Sequence, residues 1–138
     1  SLYIDENKNR KNKKISKIVK NLWNRKISEK IRNRIEKAVK EKKYRNILGL
    51  GEGLTPSGDD FLVGFIAGNW PNVEKFRKID LSKTTSLSSF FLKNALKGKF
   101  SSAILDFVKG NSLELLNFGE TSGIAVAYGI VKAWRYCE

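Results

Sequence analysis

Histidine and methionine are absent from this 138-residue chain, cysteine occurs once and proline twice. Without histidine the chain has no Ser-His-Asp or Cys-His nucleophile system and no imidazole ligand for zinc. Cys137 has no second cysteine with which to bridge, and a lone thiol assembles no metal cluster. Long apolar runs are missing as well: none approaches the roughly 18 residues that mark a candidate membrane span, so no membrane partner is expected. The opening residues, Ser1 to Glu6, lack both the basic-then-apolar order of a secretory signal and the Arg- and Ser-rich composition of a transit peptide; a cytoplasmic location is expected. Catalysis, if any, must rest on carboxylates, hydroxyls, lysine, tyrosine, backbone dipoles or a hard metal held by oxygen.

What the chain has in excess is positive charge. Lysine and arginine number 27 against 14 acids, a net charge of +13, and most of the cations fall between Lys8 and Arg45. Such a balance points to anionic partners, with nucleic acid one of the alternatives. Within the basic half, Ile15, Ile18, Val19, Leu22 and Trp23 recur at helical spacing, and Ile27, Ile31, Ile35, Ala38 and Val39 continue the pattern. The second set rotates away from the first, so either one long helix wraps around a neighbour or two helices meet near Ile27 with Ser28 as the second N-cap, and the break is favoured. An ordinary amphipathic surface helix explains this half without nucleic acid, because Glu29, Glu36 and Glu41 interrupt its basic face. Residues 5 to 14 are polar enough to suggest a loop or a mobile arm.

The segment from Leu48 to Asp60 combines four glycines, two hydroxyls, a proline and two adjacent carboxylates, directly before an apolar run. Glycine permits positive φ and close backbone approach, so such a loop can turn N–H groups toward a ligand. Thr55 followed by Pro56 has the form of an N-cap and first helical residue, and Ser57 with Asp60 matches a capping box. The helix expected from Phe61 to Gly68 is apolar on every side, which marks it as buried and its N-terminus as a natural anion site. Capping, dipole complementation and tight packing account for each residue taken singly. Two side-by-side carboxylates exceed what a cap needs, so Asp59 and Asp60 are candidates to hold Mg²⁺ or to grip an amide or ammonium group of a substrate.

A second polar opening, Phe118-Gly119-Glu120-Thr121-Ser122-Gly123, precedes another all-apolar helix, Ile124 to Trp134. Similar openings suggest that the two buried helices pack side by side with both N-termini at one pocket. Between them, Val73 to Ile79, Leu87 to Leu96, Ser101 to Val108 and Ser112 to Leu116 read as short helices, and Phe90, Phe91, Phe100, Phe107 and Phe118 as core. Short strands are expected only at Leu2 to Ile4 and Asn46 to Leu50. The fold class is therefore mainly α: a polar basic arm or loop over residues 1–14, then a single helical domain over residues 15–138 with two buried central helices and at most a short strand near the N-terminus.

The run Gly51-Glu52-Gly53-Leu54-Thr55-Pro56-Ser57-Gly58-Asp59-Asp60-Phe61-Leu62-Val63-Gly64 resembles the signature of a bacterial and archaeal family long labelled as of unknown function. Its assigned member is a subunit of oxamate carbamoyltransferase, from anaerobic allantoin degradation. The Gly119, Thr121, Ser122, Gly123 cluster is similar to the family's second motif, with Glu120 where relatives often carry a small residue or His. The resemblance covers roughly residues 28 to 136 and corresponds to the C-terminal half of longer relatives. It implies transfer of a carbamoyl group between phosphate and the amide nitrogen of oxamate, and a protein partner or homo-oligomer. It also implies a small anionic substrate held at Gly51, Gly53, Thr55, Ser57, Gly58, Thr121, Ser122 and Gly123, with Asp59 and Asp60 as catalytic or Mg²⁺-binding groups. A non-catalytic partner subunit is the main alternative.

Overall fold

The computed structural model describes the backbone of residues 2–135 and side chains from Asn7 onward. Six helices follow one another: α1 (Leu2–Lys26), α2 (Glu29–Lys40), α3 (Ser57–Asn69), α4 (Ser86–Leu96), α5 (Ser102–Val108) and α6 (Ser122–Trp134). Short 3-10 turns at Tyr44–Asn46, Glu74–Phe76, Leu81–Lys83 and Glu114–Asn117 join them, and there is no strand among the described residues. The two expected strands are thus replaced: Leu2 to Ile4 lie in α1, and the stretch at 46–50 leaves a 3-10 turn into the glycine-rich loop. Residues 5–14 are helical too, where a loop or arm was expected. The helix continues because Asn12, Ile15 and Ser16 are already buried, so packing begins one turn earlier than the apolar pattern suggests.

The break between α1 and α2 falls where the rotation of the apolar stripe placed it. Ser28 is the N-cap of α2, its Oγ accepting from the Ile31 N–H at 3.4 Å. Ile15, Val19 and Trp23 turn the apolar face of α1 inward, and its lysines at 13, 14, 17 and 20 stay on the solvent side. Trp23 stacks on Tyr128 of α6 with centroids 4.4 Å apart and planes 6° from parallel. Glu36 of α2 ties down the same helix: Tyr128 Oη donates to its Oε1 at 2.6 Å and Lys132 Nζ to its Oε2 at 2.8 Å.

The centre of the molecule is the pair α3 and α6, both buried over most of their length. Their backbones touch. A Cβ on Gly64 would lie 1.8 Å from the Val126 carbonyl oxygen, and one on Gly129 would lie 2.1 Å from the Phe61 oxygen. Gly68 meets Ile130 and Ala133 further along, so the two chains climb in the same direction and the helices are parallel. Phe61 and Phe65 carry this core outward to Trp23, Tyr44 and Phe76.

Around the pair, α4 caps itself with Thr85 and buries Leu92 and Ala95, while α5 starts at Ser101 and buries Ile104 and Phe107. The two other expected helices shrink to 3-10 turns that insert Val73, Phe76 and Leu115. Not all phenylalanines are core. Phe107 is buried, but Phe90 and Phe91 are 58% and 44% exposed, because α4 spends its inward face on Leu92 and Ala95, and Phe118, after the last 3-10 turn, is 50% exposed.

Gly64→Ala is expected to destabilise the protein by about 1–3 kcal/mol or more, since the colliding atom belongs to a backbone that cannot rotate away. Urea unfolding followed by circular dichroism would show a lowered midpoint; a midpoint within error of wild type would refute the backbone contact.

Candidate functional site

The glycine-rich segment from Gly49 to Pro56 is a loop closed on itself. Gly51 takes φ +116°, which an L side chain rarely adopts, and a Cβ there would stand 2.8 Å from the Ser57 nitrogen. The Gly58 N–H donates to the Leu50 carbonyl at 2.8 Å, and a side chain on Gly58 would strike the Ile47 carbonyl at 2.2 Å. Gly53 sits at the exposed tip, with nothing near its missing Cβ. On the far side, the Thr85 hydroxyl donates to the Leu54 carbonyl and anchors the loop to the start of α4.

Helix α3 begins one residue later than the Thr-Pro pattern suggests. Pro56 is the N-cap, no side chain caps the first turn, and neither the Thr55 cap nor the Ser57–Asp60 capping box forms. The reason lies across the helix pair: Thr55 Oγ1 faces Ser122 Oγ at 3.2 Å, joining the openings of α3 and α6 directly. Thr121 likewise occupies the N-cap of α6 without a side-chain cap. Parallel packing therefore brings the two helix N-termini together. Several of their amides are already engaged: Gly58 with Leu50, Asp59 and Asp60 with the Pro56 carbonyl, and Gly123 with the Phe118 carbonyl at 2.9 Å. Gly123 also lets the Leu115 carbonyl approach, which a Cβ would meet at 1.9 Å.

The two adjacent aspartates have different fates. Asp59, 1% exposed, accepts from the Gly49 N–H at 2.7 Å through Oδ1 and from the Thr84 hydroxyl through Oδ2. Both oxygens are used to hold the loop, the role of a tether. Asp60 points to the other side. It is 7% exposed, and its Oδ2 is buried without a hydrogen-bond partner. Burial pushes its carboxyl up to about 7; a hydrogen bond from Ser122 opposes the rise, the neighbouring Asp59 charge adds to it, and Thr55 opposes it again. An acid with both oxygens engaged and one with a single buried oxygen left unpartnered thus stand side by side. Among the described residues no group of three or more acidic or thiol ligands gathers, and both oxygens of Asp59 already accept hydrogen bonds, which leaves Asp60 Oδ2 as the one carboxylate oxygen of the pair without a partner.

Asp60 lines a cavity of about 360 Å³ walled by Val63, Phe91, Phe100, Ile104 and Val126, with Asn94, Lys99 and Ser101 as the further polar groups. Of the candidate site residues, only Asp60 lines this cavity; Thr55 and Ser122 hydrogen-bond to Asp60, and Gly51, Gly53, Ser57, Gly58, Thr121 and Gly123 build the loop and helix starts. Asn94, Lys99 and Ser101 carry no motif. Helix α4 and the turn after it deliver them, and the one sequence hint is that Lys99 follows the helix-ending Gly98.

Because the folded carboxyl of Asp60 titrates near 7 against an ordinary 3.8, the native state holds a proton that the unfolded chain has lost between those values. Stability must therefore fall as pH rises from about 4 to about 7 and level off above. Asp60→Asn removes that component, and chemical denaturation at a series of pH values should give a flatter profile across this window. Asp59→Asn, which strips an acceptor from the Gly49 or Thr84 donor, should instead cost about 1–3 kcal/mol at neutral pH. Equal pH profiles for wild type and Asp60→Asn would exclude the raised carboxyl.

The family model of the oxamate carbamoyltransferase subunit AllH matches residues 47–134. No curated protein and no solved structure matches the chain. The matched segment opens at Ile47, under the glycine-rich loop, and closes at the end of α6, so it contains both central helices, the cavity and Asp60. It starts later than the sequence resemblance and leaves α1 and α2 outside. The chain belongs to the family of oxamate carbamoyltransferase subunits described as AllH.

Proposed function

We propose that the chain is a carbamoyltransferase subunit that takes a small anionic substrate of the oxamate and carbamoyl phosphate class in the cavity beside Asp60. The observation that carries this reading is the buried, unpartnered Oδ2 of Asp60 on the wall of a cavity that also holds Lys99. A buried polar atom without a partner costs free energy that a ligand donor would recover. Oxamate offers such a donor in its amide N–H and a carboxylate for the Lys99 ammonium, with Asn94 and Ser101 as further hydrogen-bonding groups. In the transfer, the amide nitrogen attacks the carbamoyl carbon. The new C–N bond forms as the C–O bond to phosphate breaks, phosphate leaves with the electron pair, and the nitrogen proton passes to Asp60. A carboxyl titrating near 7 suits that exchange at neutral pH.

A second reading, in which the site is completed by another chain, is favoured by one observation. Leu54, Leu87, Phe90 and Phe91, on the loop tip and on α4 beside the cavity, are 74%, 41%, 58% and 44% exposed. The nucleic-acid alternative gains no such support, for the α1 lysines take the outward position of any amphipathic surface helix. No helix among the described residues is long and apolar enough to cross a membrane.

Thermal melts with oxamate and carbamoyl phosphate, alone and together, test the proposal; a ligand at about 100 times its Kd adds roughly 2.7 kcal/mol. The melting temperature of wild type should rise, and the rise should vanish in Asp60→Asn and Lys99→Ala. Equal shifts in wild type and both variants would sink the assignment to this cavity. No shift in wild type, restored on adding a partner chain, would transfer the site to the second reading.

A further inference from the structure

At the opposite end of the α3–α6 pair from Asp60, the C-termini of α2, α3 and α6 surround a second and larger hollow. Its volume is about 680 Å³, within the range of small-molecule sites. Six cations line it: Lys37 and Lys40 from the last turn of α2, Lys42 just beyond, Lys75 from the 3-10 turn, and Lys132 and Arg135 from the end of α6. Among the described residues its one acid is Glu36, whose two oxygens already accept from Tyr128 and Lys132.

Helix ends account for part of this charge. Each C-terminus carries roughly half a negative charge, so the three of them offset about one and a half. With Glu36 subtracted as well, a surplus of roughly three and a half positive charges remains among the described residues of this concavity. Lys75 feels it most. Its ammonium lies 5.3–5.6 Å from the ring centroids of Tyr44, Phe65 and Phe76, and its pKa is lowered by burial and then by the charges of Arg135 and Lys42. Among the described residues no carboxylate forms an ion pair with Lys37, Lys40, Lys42, Lys75 or Arg135. The walls are not purely polar, since Tyr44, Phe65, Val39 and Ala133 supply apolar surface.

We propose that this cleft is an anion site separate from the Asp60 cavity, and that it takes a small molecule carrying a chain of two or more phosphate groups. Adjacent phosphates bring three or four negative charges at fixed spacing, which matches the surplus and its spread across three helix ends. A single carboxylate or orthophosphate would leave most of the cations uncompensated. The concave shape, of nucleotide-sized volume, favours a small molecule over an extended acidic surface.

Isothermal titration with sodium tripolyphosphate at fixed ionic strength provides the test, beside orthophosphate and a glutamate oligomer of matched charge. One tripolyphosphate should bind per chain, at least tenfold more tightly than either comparison anion. Binding should weaken at least tenfold in Lys75→Gln/Arg135→Gln, and also in Lys37→Gln/Lys40→Gln, whose side chains are exposed on the last turn of α2 and not needed for the core. It should hold in Lys13→Gln/Lys17→Gln, which removes the same charge from α1, and in Asp60→Asn, which separates this site from the substrate cavity. Equal weakening in the α1 variant, several ions bound per chain, or no binding would overturn the proposal. Tighter binding of the glutamate oligomer would overturn it in favour of an acidic protein segment.

Discussion

Everything at the candidate site depends on how closely α3 and α6 approach. Where Gly64 faces the Val126 carbonyl and Gly129 faces that of Phe61, no methyl group fits, and the two helices lie backbone to backbone. Contact of that kind fixes axial register more tightly than contacts between flexible side chains, because backbone atoms have no rotamers through which to adjust. The parallel register sets Thr55 against Ser122 and brings Asp60 to the junction of the two helix starts. Helices α1, α2, α4 and α5 then cover the pair, with Trp23, Tyr128 and Glu36 clamping one side.

The adjacent aspartates show how little residue type decides without surroundings. A helix N-terminus favours a carboxylate by about 0.3–1 kcal/mol, up to about 2 when partly buried. Each unit of pKa displacement is about 1.4 kcal/mol, so a carboxyl raised from 3.8 to about 7 reflects a desolvation cost well above what the dipole returns. Asp59 meets the same dipole and similar burial, yet two loop donors satisfy it. One acid has both oxygens tied to the loop; the other keeps one buried oxygen without a partner.

The molecule is also polar end to end. Parallel central helices align their dipoles, so Asp59 and Asp60 stand at the N-terminal end of the pair while Lys132 and Arg135 stand at its C-terminal end. Dipole complementarity explains the signs of both clusters. It does not explain the rest: one oxygen of the buried Asp60 lacks a donor, and the basic cleft exceeds what the helix ends neutralise.

The sequence by itself determined the helical class, the break at Ser28 and the two buried central helices, because periodicity, capping residues and all-round apolar composition are local signals; the meeting of the polar openings it only suggested, through their similarity. It also excluded histidine chemistry and any disulfide within these 138 residues. Only the tertiary structure decided which aspartate keeps an unpartnered oxygen, since the partners of Asp59 lie 10 and 25 residues away and that of Thr55 lies 67 away. It alone assembled Asn94, Lys99 and Ser101 opposite Asp60, turned Phe90, Phe91 and Phe118 outward, and carried α1 through a stretch whose composition reads as loop. Pattern along a chain reports which face of an element is apolar; the atom that stands across from a side chain depends on the packing of distant elements, and no local pattern encodes it.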